Sequence, residues 1–317
     1  MNDSPLTVAV VGAGALGLYY GGMLQRAGID TRFLLRRDYA AISSQGLQVH
    51  SIAGDFHLSP VRAYKSSRAI GPVDLVLVGL KTFANHALVE LITPLLGPDT
   101  LILTLQNGLG NEELLATAFG PERILGGVAY LCSNRGEPGH VHHLGEGRIR
   151  LGELAPGMSS QAGELAEIFS AAGIPCQAVT DLRRIRWEKL VWNIPFNGLC
   201  ALTGKDVNEL LAHPPSRQLV EELMWEVVNA ANQQGLQEEI KGEEFIARML
   251  TMTDQMDHYR PSMMIDRLEG RPLELEAIYA IPLQLATTAG QPMPQVAMLY
   301  SLLDLGEAWT EERPGFC

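Results

Sequence analysis

The chain has 317 residues, 46% of them apolar and 19% charged, with 36 acidic against 24 basic residues for a formal charge of −12. At roughly 150 residues per domain this length suggests two domains, and the apolar content excludes a disordered chain. No unbroken apolar run reaches the ~18 residues of a membrane span, and the acidic balance disfavours non-specific nucleic-acid binding. Cys132, Cys176, Cys200 and Cys317 are scattered, without a CxxC pair or metal-ligand spacing, so neither a disulfide framework nor a zinc site is expected. Residues 1–7 are polar and lack the basic start and cleavage site of a signal peptide. A cytoplasmic globular protein is the expectation.

Residues 8–11 (VAVV) form a first strand. Residues 16–27 follow with apolar positions at helical spacing, stopped by Gly28 as a left-handed cap, and 31–35 read as a second strand. Further strands are expected at 73–79, introduced by Gly71-Pro72, and at 100–105, followed by Gln106-Asn107-Gly108. Short apolar runs alternating with helices predict a parallel sheet covered on both faces. The glycine-rich alternation of 126–153 reads as a hairpin extending that sheet, and a helix at 161–172 with a strand at 175–179 completes it. After Asp181 the pattern is helical, at 219–234, 243–255, 273–289 and, beyond Pro292 and Pro294, 295–308. The division expected is an α/β domain at 1–181 and an all-α domain at 182–317, with the site between them.

Gly12-Ala13-Gly14-Ala15-Leu16-Gly17 satisfies GxGxxG. Such hexapeptides arise by chance, but this one follows a strand directly and opens a helix. There the first glycine makes the turn, the second lets a pyrophosphate approach the backbone, and the third permits close helix packing. The helix N–H groups then face the phosphates. About twenty residues on, where an NAD site places a carboxylate for the ribose, the sequence has Arg36-Arg37. A guanidinium suits a 2′-phosphate and favours NADP(H). Asp38 keeps an acidic alternative open, and a solvated loop pair is the plainer reading of the arginines. Lys81, at the end of the 73–80 stretch, is expected at the same carboxyl edge as a second positive charge.

Lys189, Asn193 and Asn197 recur every four residues, so a continuous helix stacks them on one face. Their neighbours Leu190, Trp192 and Phe196 are apolar, which suggests burial. A lysine partly removed from water gives up its proton more readily and can serve a developing alkoxide. Pro195 stands against this, since it can end or kink the helix before Asn197; a surface lysine beside two capping asparagines is the alternative.

Together these residues resemble the ketopantoate reductase (2-dehydropantoate 2-reductase) family over nearly the whole chain. The resemblance is carried by the glycine loop at 12–17, Arg36, Lys81, Gln106-Asn107-Gly108, the 138–153 stretch ending Gly152-Glu153, Trp187-x-Lys189-Leu190 and Ser262-Met263-Met264. It implies a Rossmann-type α/β domain followed by a helical domain, with NADPH and substrate in the cleft between them. It implies Lys189 as general acid, Asn107, Asn193 and Asn197 as substrate contacts, and Ser262 as the holder of the substrate carboxylate. Arg36 and Lys81 would grip the 2′-phosphate, and Asn107 and Glu274 would contact the cofactor, beside Gly12, Ala13, Gly14, Ala15, Leu16 and Gly17. The family commonly has a methionine-rich Gln-Asp stretch after its serine and an Ile-Asp-Tyr-Ile-Asn-Gly-like run after its glutamate. Here these are Met263-Met264-Ile265-Asp266 and Leu275-Glu276-Ala277-Ile278-Tyr279-Ala280.

The expected function is NADPH-dependent reduction of a small 2-oxo acid, foremost 2-dehydropantoate to pantoate. The alternatives are a related NADP-dependent reductase of another 2-oxo acid and, from a different class, a non-catalytic NADP(H) sensor. No nucleic-acid or membrane partner is expected, and a homodimer stays open. His140, His142 and His143 suggest a metal site, but no acidic or thiol partner sits at suitable spacing, and no metal is expected. Met249, Met252, Met256, Met263 and Met264 read as core or cleft lining, and Glu238, Glu239, Glu243 and Glu244 as a solvated helix face. No GxSxG motif supports hydrolase chemistry.

Overall fold

The computed structural model describes residues 6–157 and 159–311, with side chains up to 307, so most of the polar N-terminal segment and Cys317 lie outside the described residues. The chain divides into two compact units, 1–106 with 111–182, and 107–110 with 183–317.

The first unit is built on ten strands: β1 (Thr7–Val11), β2 (Asp30–Leu34), β3 (Leu47–Ser51), β4 (Phe56–Leu58), β5 (Arg62–Tyr64), β6 (Val73–Val78), β7 (Leu96–Thr104), β8 (Ile124–Arg135), β9 (His140–Glu153) and β10 (Cys176–Ala178). Their order is β4-β3-β9-β8-β7-β6-β1-β2-β5, with β10 on β9. The β8–β7–β6–β1–β2–β5 stretch is wholly parallel, whereas β8 pairs antiparallel with β9, and β3 with β4. The chain leaves β1 for β2 on one side and returns through β6 on the other, so β1 ends at a topological switch point, where α/β sheets bind ligands.

The unbroken apolar run of β1 follows from burial on both faces. Successive side chains of a strand point to opposite sides, and Val8 and Val10 enter one core with Leu75, Leu77 and Leu103, while Ala9 and Val11 enter another with Val76, Val78 and Ile102. The expected hairpin is the long β8–β9 pair, and the expected strand near 175–179 is β10, parallel to β9. The sequence reading passed over β3, β4 and β5 and the helices Tyr39–Gln45 and Asn111–Phe119. β5 has only three residues, too few to show a period.

The second unit is helical: Leu182–Thr203, Val207–Ala212, Pro214–Asn232, Gly242–Asp254, Ser262–Leu268, Ile281–Thr288 and Pro294–Glu311. Its core joins Trp187, Val191 and Phe196 to Val227, Met263, Ile278 and Tyr279, and takes in Leu109 from the Asn107–Gly110 segment. The helix expected to start at 219 begins at Pro214, with prolines in its first turn, where their missing N–H costs nothing. The Glu226 carboxylate accepts from the backbone N–H of Gln295 and Val296, each at 3.0 Å, and so satisfies the first turn of the last helix. The single helix expected over 273–289 is instead a π turn, Glu276–Ala280, running into the α-helix Ile281–Thr288. No helix among the described residues is long and apolar enough to cross a membrane.

Candidate active site

In the first unit the glycine loop leaves β1 and enters the helix Ala15–Arg26. Gly12 has φ +96°, and a Cβ there would lie 2.2 Å from the Leu80 amide nitrogen. On Gly17 a Cβ would lie 2.3 Å from the Gly12 carbonyl oxygen, but on Gly14 it meets nothing within 4 Å. The fold itself therefore needs the outer two glycines and not the middle one. Gly14 is the N-cap, with no side-chain cap bond, so the first-turn N–H groups beside that open space stay available to an anion. This is the shape a pyrophosphate requires, and the loop fits a dinucleotide.

Arg36 lies two residues past β2, and Lys81 three past β6, the two strands flanking β1. All three loops thus leave the same carboxyl edge. Arg36 and Arg37 are exposed, whereas Lys81 is half-buried. Asp38 is buried; its carboxylate pairs with Arg135 and accepts from the Gly139 N–H at 3.3 Å. The one acidic side chain next to the arginines is committed inside the sheet domain.

In the second unit the helix Leu182–Thr203 runs unbroken through Pro195. Lys189, Asn193 and Asn197 therefore keep their four-residue spacing on one face. The Lys189 ammonium, half-buried, donates to Asn107 Oδ1 at 2.9 Å. Asn197 is buried, and its Oδ1 accepts from the Met263 N–H at 3.2 Å, which fixes the start of the Ser262–Leu268 helix against it. Ser262 is the first residue of that helix and is half-buried. Asn193 is 5% exposed and, among the described residues, has no side-chain hydrogen-bond partner. Glu274 is buried just ahead of the π turn.

The sequence reading quoted Gly108 within the Gln106-Asn107-Gly108 motif but gave it no part in the site; it takes φ +80° and would bring a Cβ within 2.3 Å of the Ala277 carbonyl oxygen. Only glycine lets the Asn107 loop lie this close to the π turn, and the Asn-Gly dipeptide was the available signal. It also missed a polar network in the first unit: Thr104 Oγ1 donates to Gln106 Oε1 at 3.0 Å, Gln106 Nε2 to Asn85 Oδ1 at 2.7 Å, and Asn85 Nδ2 to Asn111 Oδ1 at 3.0 Å. Thr104 and Gln106 are near neighbours, but Asn85 lies 21 residues before Gln106 and 26 before Asn111, too far for spacing to pair them.

Other groups take structural parts. His50 and His140 share a hydrogen bond at 3.1 Å, and His50 stacks on His142, while His143 bonds Ser51 and the Glu146 carbonyl. No group of three or more His, Cys, Asp or Glu among the described residues is arranged to hold a metal. Burial pushes the Cys176 and Cys200 thiols up to about 12, which leaves them poor nucleophiles.

Comparison with known proteins covers both units. Residues 8–156 match the family model described as ketopantoate reductase PanE/ApbA, and 181–307 match its C-terminal counterpart. A 2-dehydropantoate 2-reductase of Nostoc sp. is 44% identical over 300 residues, 93% of each chain. The crystal structure of a 2-dehydropantoate 2-reductase from Geobacter metallireducens is 59% identical, with a TM-score of 0.93 over 95% of this chain and 100% of that one. D-mandelate dehydrogenase in a ternary structure with NADH and anilino(oxo)acetate shares the fold, at 23% identity and a TM-score of 0.89, over 97% of this chain and all of the other.

Proposed function

The chain belongs to the ketopantoate reductase PanE/ApbA family, and from that premise we propose that it is an NADPH-dependent reductase of a small 2-oxo acid, converting 2-dehydropantoate to pantoate. The observation that carries the reading is the half-buried Lys189 ammonium held 2.9 Å from Asn107 Oδ1. Bound NADPH supplies the hydride that reduces the ketone carbon. Lys189 Nζ hands a proton to the ketone oxygen as negative charge builds there. A fixed ammonium stabilises that charge more in the transition state than in the ground state. Asn107 keeps the ammonium aimed, which limits the reorganisation the step requires. Asn193 and the Asn197 amide N–H groups offer neutral hydrogen bonds to the substrate, and Ser262 offers a hydroxyl to its carboxylate.

NADPH over NADH is supported by the pairing of exposed Arg36 with a buried, already engaged Asp38. A guanidinium at that edge matches a 2′-phosphate, and no neighbouring carboxylate is left over for a ribose diol. The outer glycines shape the loop, and Gly14 leaves the space a pyrophosphate fills.

The test is turnover of the purified protein with 2-dehydropantoate and a panel of other 2-oxo acids, using NADPH and NADH in parallel. Oxidation of NADPH matched by formation of pantoate is expected. Lys189→Ala should lower kcat by about 10²–10⁴-fold, the range for a lost acid catalyst, while the Kd for NADPH stays put. Tight NADPH binding with no oxo acid reduced would instead mark a sensor, and near-wild-type turnover of Lys189→Ala would remove the lysine from the mechanism.

A further inference from the structure

Three hydrogen bonds close a ring within the helical unit. Lys189 donates to Asn107 at 2.9 Å; two residues along the loop, the Leu109 N–H donates to the Ala277 carbonyl at 2.9 Å; and from the same π turn the Tyr279 hydroxyl donates to the Ile194 carbonyl at 2.8 Å, back on the lysine's own helix. Two features make the ring possible. The Ile281 N–H, which in an α-helix would serve Ala277, bonds Glu276 instead, five residues back. The next N–H that a wide turn would aim at Ala277 belongs to position 282, which is proline and has none. The Ala277 carbonyl is thereby released from its helix and taken by the Asn107 loop. At the other end, Tyr279 is fully buried, and a Cβ on Gly198 would lie 2.5 Å from its hydroxyl, so the ring is filled without slack.

We propose that Tyr279 and Pro282 are positioning residues for the reduction, holding the Asn107 loop and the Lys189 helix in register through the π turn Glu276–Ala280. The assignment rests on the reading of Lys189 as proton donor. Neither residue touches the reacting atoms; both act through the lysine–asparagine contact. The Pro282→Ala substitution restores an N–H that competes with Leu109 for the Ala277 carbonyl. Tyr279→Phe removes one hydroxyl and keeps the ring's packing.

The experiment measures kcat, KM for NADPH and 2-oxo acid, and the pH dependence of kcat for Tyr279→Phe, Pro282→Ala, Lys189→Ala and the two double variants. Each single change in the ring should lower kcat about ten- to hundredfold, the cost of slight misplacement, with KM for NADPH within about twofold. The basic limb of the pH profile should move to lower pH, because a weakened hydrogen bond from the ammonium favours the charged form less. Added to Lys189→Ala, neither change should cost anything further. Wild-type kcat and pH limb in both single variants, or a full extra loss in the Lys189→Ala background, would falsify the positioning role alone. Wild-type turnover in Lys189→Ala overturns this role and the proton-donor reading together. Thermal unfolding shows which variants fold; if Tyr279→Phe does not, Pro282→Ala, which leaves the buried hydroxyl in place, carries the test.

Discussion

A methyl group on Gly14 meets open space, whereas on Gly17 it strikes the Gly12 carbonyl and on Gly12 it also demands a positive φ. One hexapeptide thus contains residues answering to two kinds of constraint. Gly14→Ala should leave the thermal midpoint nearly unchanged and raise KM for NADPH, since the added carbon occupies only the space beside the helix N-terminus. Gly17→Ala should destabilise the fold by about 1–3 kcal/mol, the usual cost of overpacking. Melting curves and cofactor titration of the two variants check this, and equal stability losses would show that the middle glycine is also structural. The same logic separates the asparagines. Asn197 spends its oxygen on Met263, whereas the Asn193 side chain has no hydrogen-bond partner among the described residues, so truncating Asn197 should disturb the fold as well as the substrate.

Helix Val207–Ala212 opens with a capping box: Asp206 accepts from the Glu209 N–H at 2.9 Å, and Glu209 accepts from the Asp206 N–H at 3.0 Å. His258 adds a 2.7 Å bond to the other Asp206 oxygen. That bond, with the carboxylate's charge, holds the His258 pKa above 6.5. Burial works against the Asp206 charge, yet the Glu209 N–H and His258 outweigh it and keep the carboxyl below 3.8. The histidine's contribution is full below 6.5 and is lost as pH rises through its raised value; the aspartate's is full above 3.8 and is lost as pH falls through its lowered value. His258→Ala should therefore narrow the stability gap to wild type as pH climbs from about 5.5 into the alkaline range. Urea unfolding at several pH values measures it, and a gap independent of pH would show that the imidazole acts only by packing. The π turn teaches a different lesson about elements: Pro282 was visible in the sequence, but the carbonyl it frees matters only because Leu109 is there to use it.

All four tryptophans, Trp187, Trp192, Trp225 and Trp309, follow residue 182, while the ten-stranded sheet precedes it. Tryptophan fluorescence therefore reports the helical unit, and the β signal in circular dichroism reports the other. Each unit has its own core, so heating should give transitions that the two probes date differently. NADPH at about a hundred times its Kd adds ~2.7 kcal/mol to whatever holds it, and the β transition should rise more than the fluorescence transition. Coincident curves with and without cofactor would show that the units unfold as one.

From sequence alone came the Rossmann-type sheet, the helical second half, the glycine loop and the four-residue spacing of Lys189, Asn193 and Asn197. These depend on local rules: side-chain period, turn residues and the steric needs of glycine, all of which act between neighbours in the chain. Tertiary structure decided what the side chains at those positions touch. It put Asn107 against a lysine 82 residues away, turned Asp38 inward to Arg135, carried the helix through Pro195, and opened a π turn where an α-helix was expected. Each of these is settled by which distant group satisfies a buried donor or acceptor, and that choice exists only once the chain has packed.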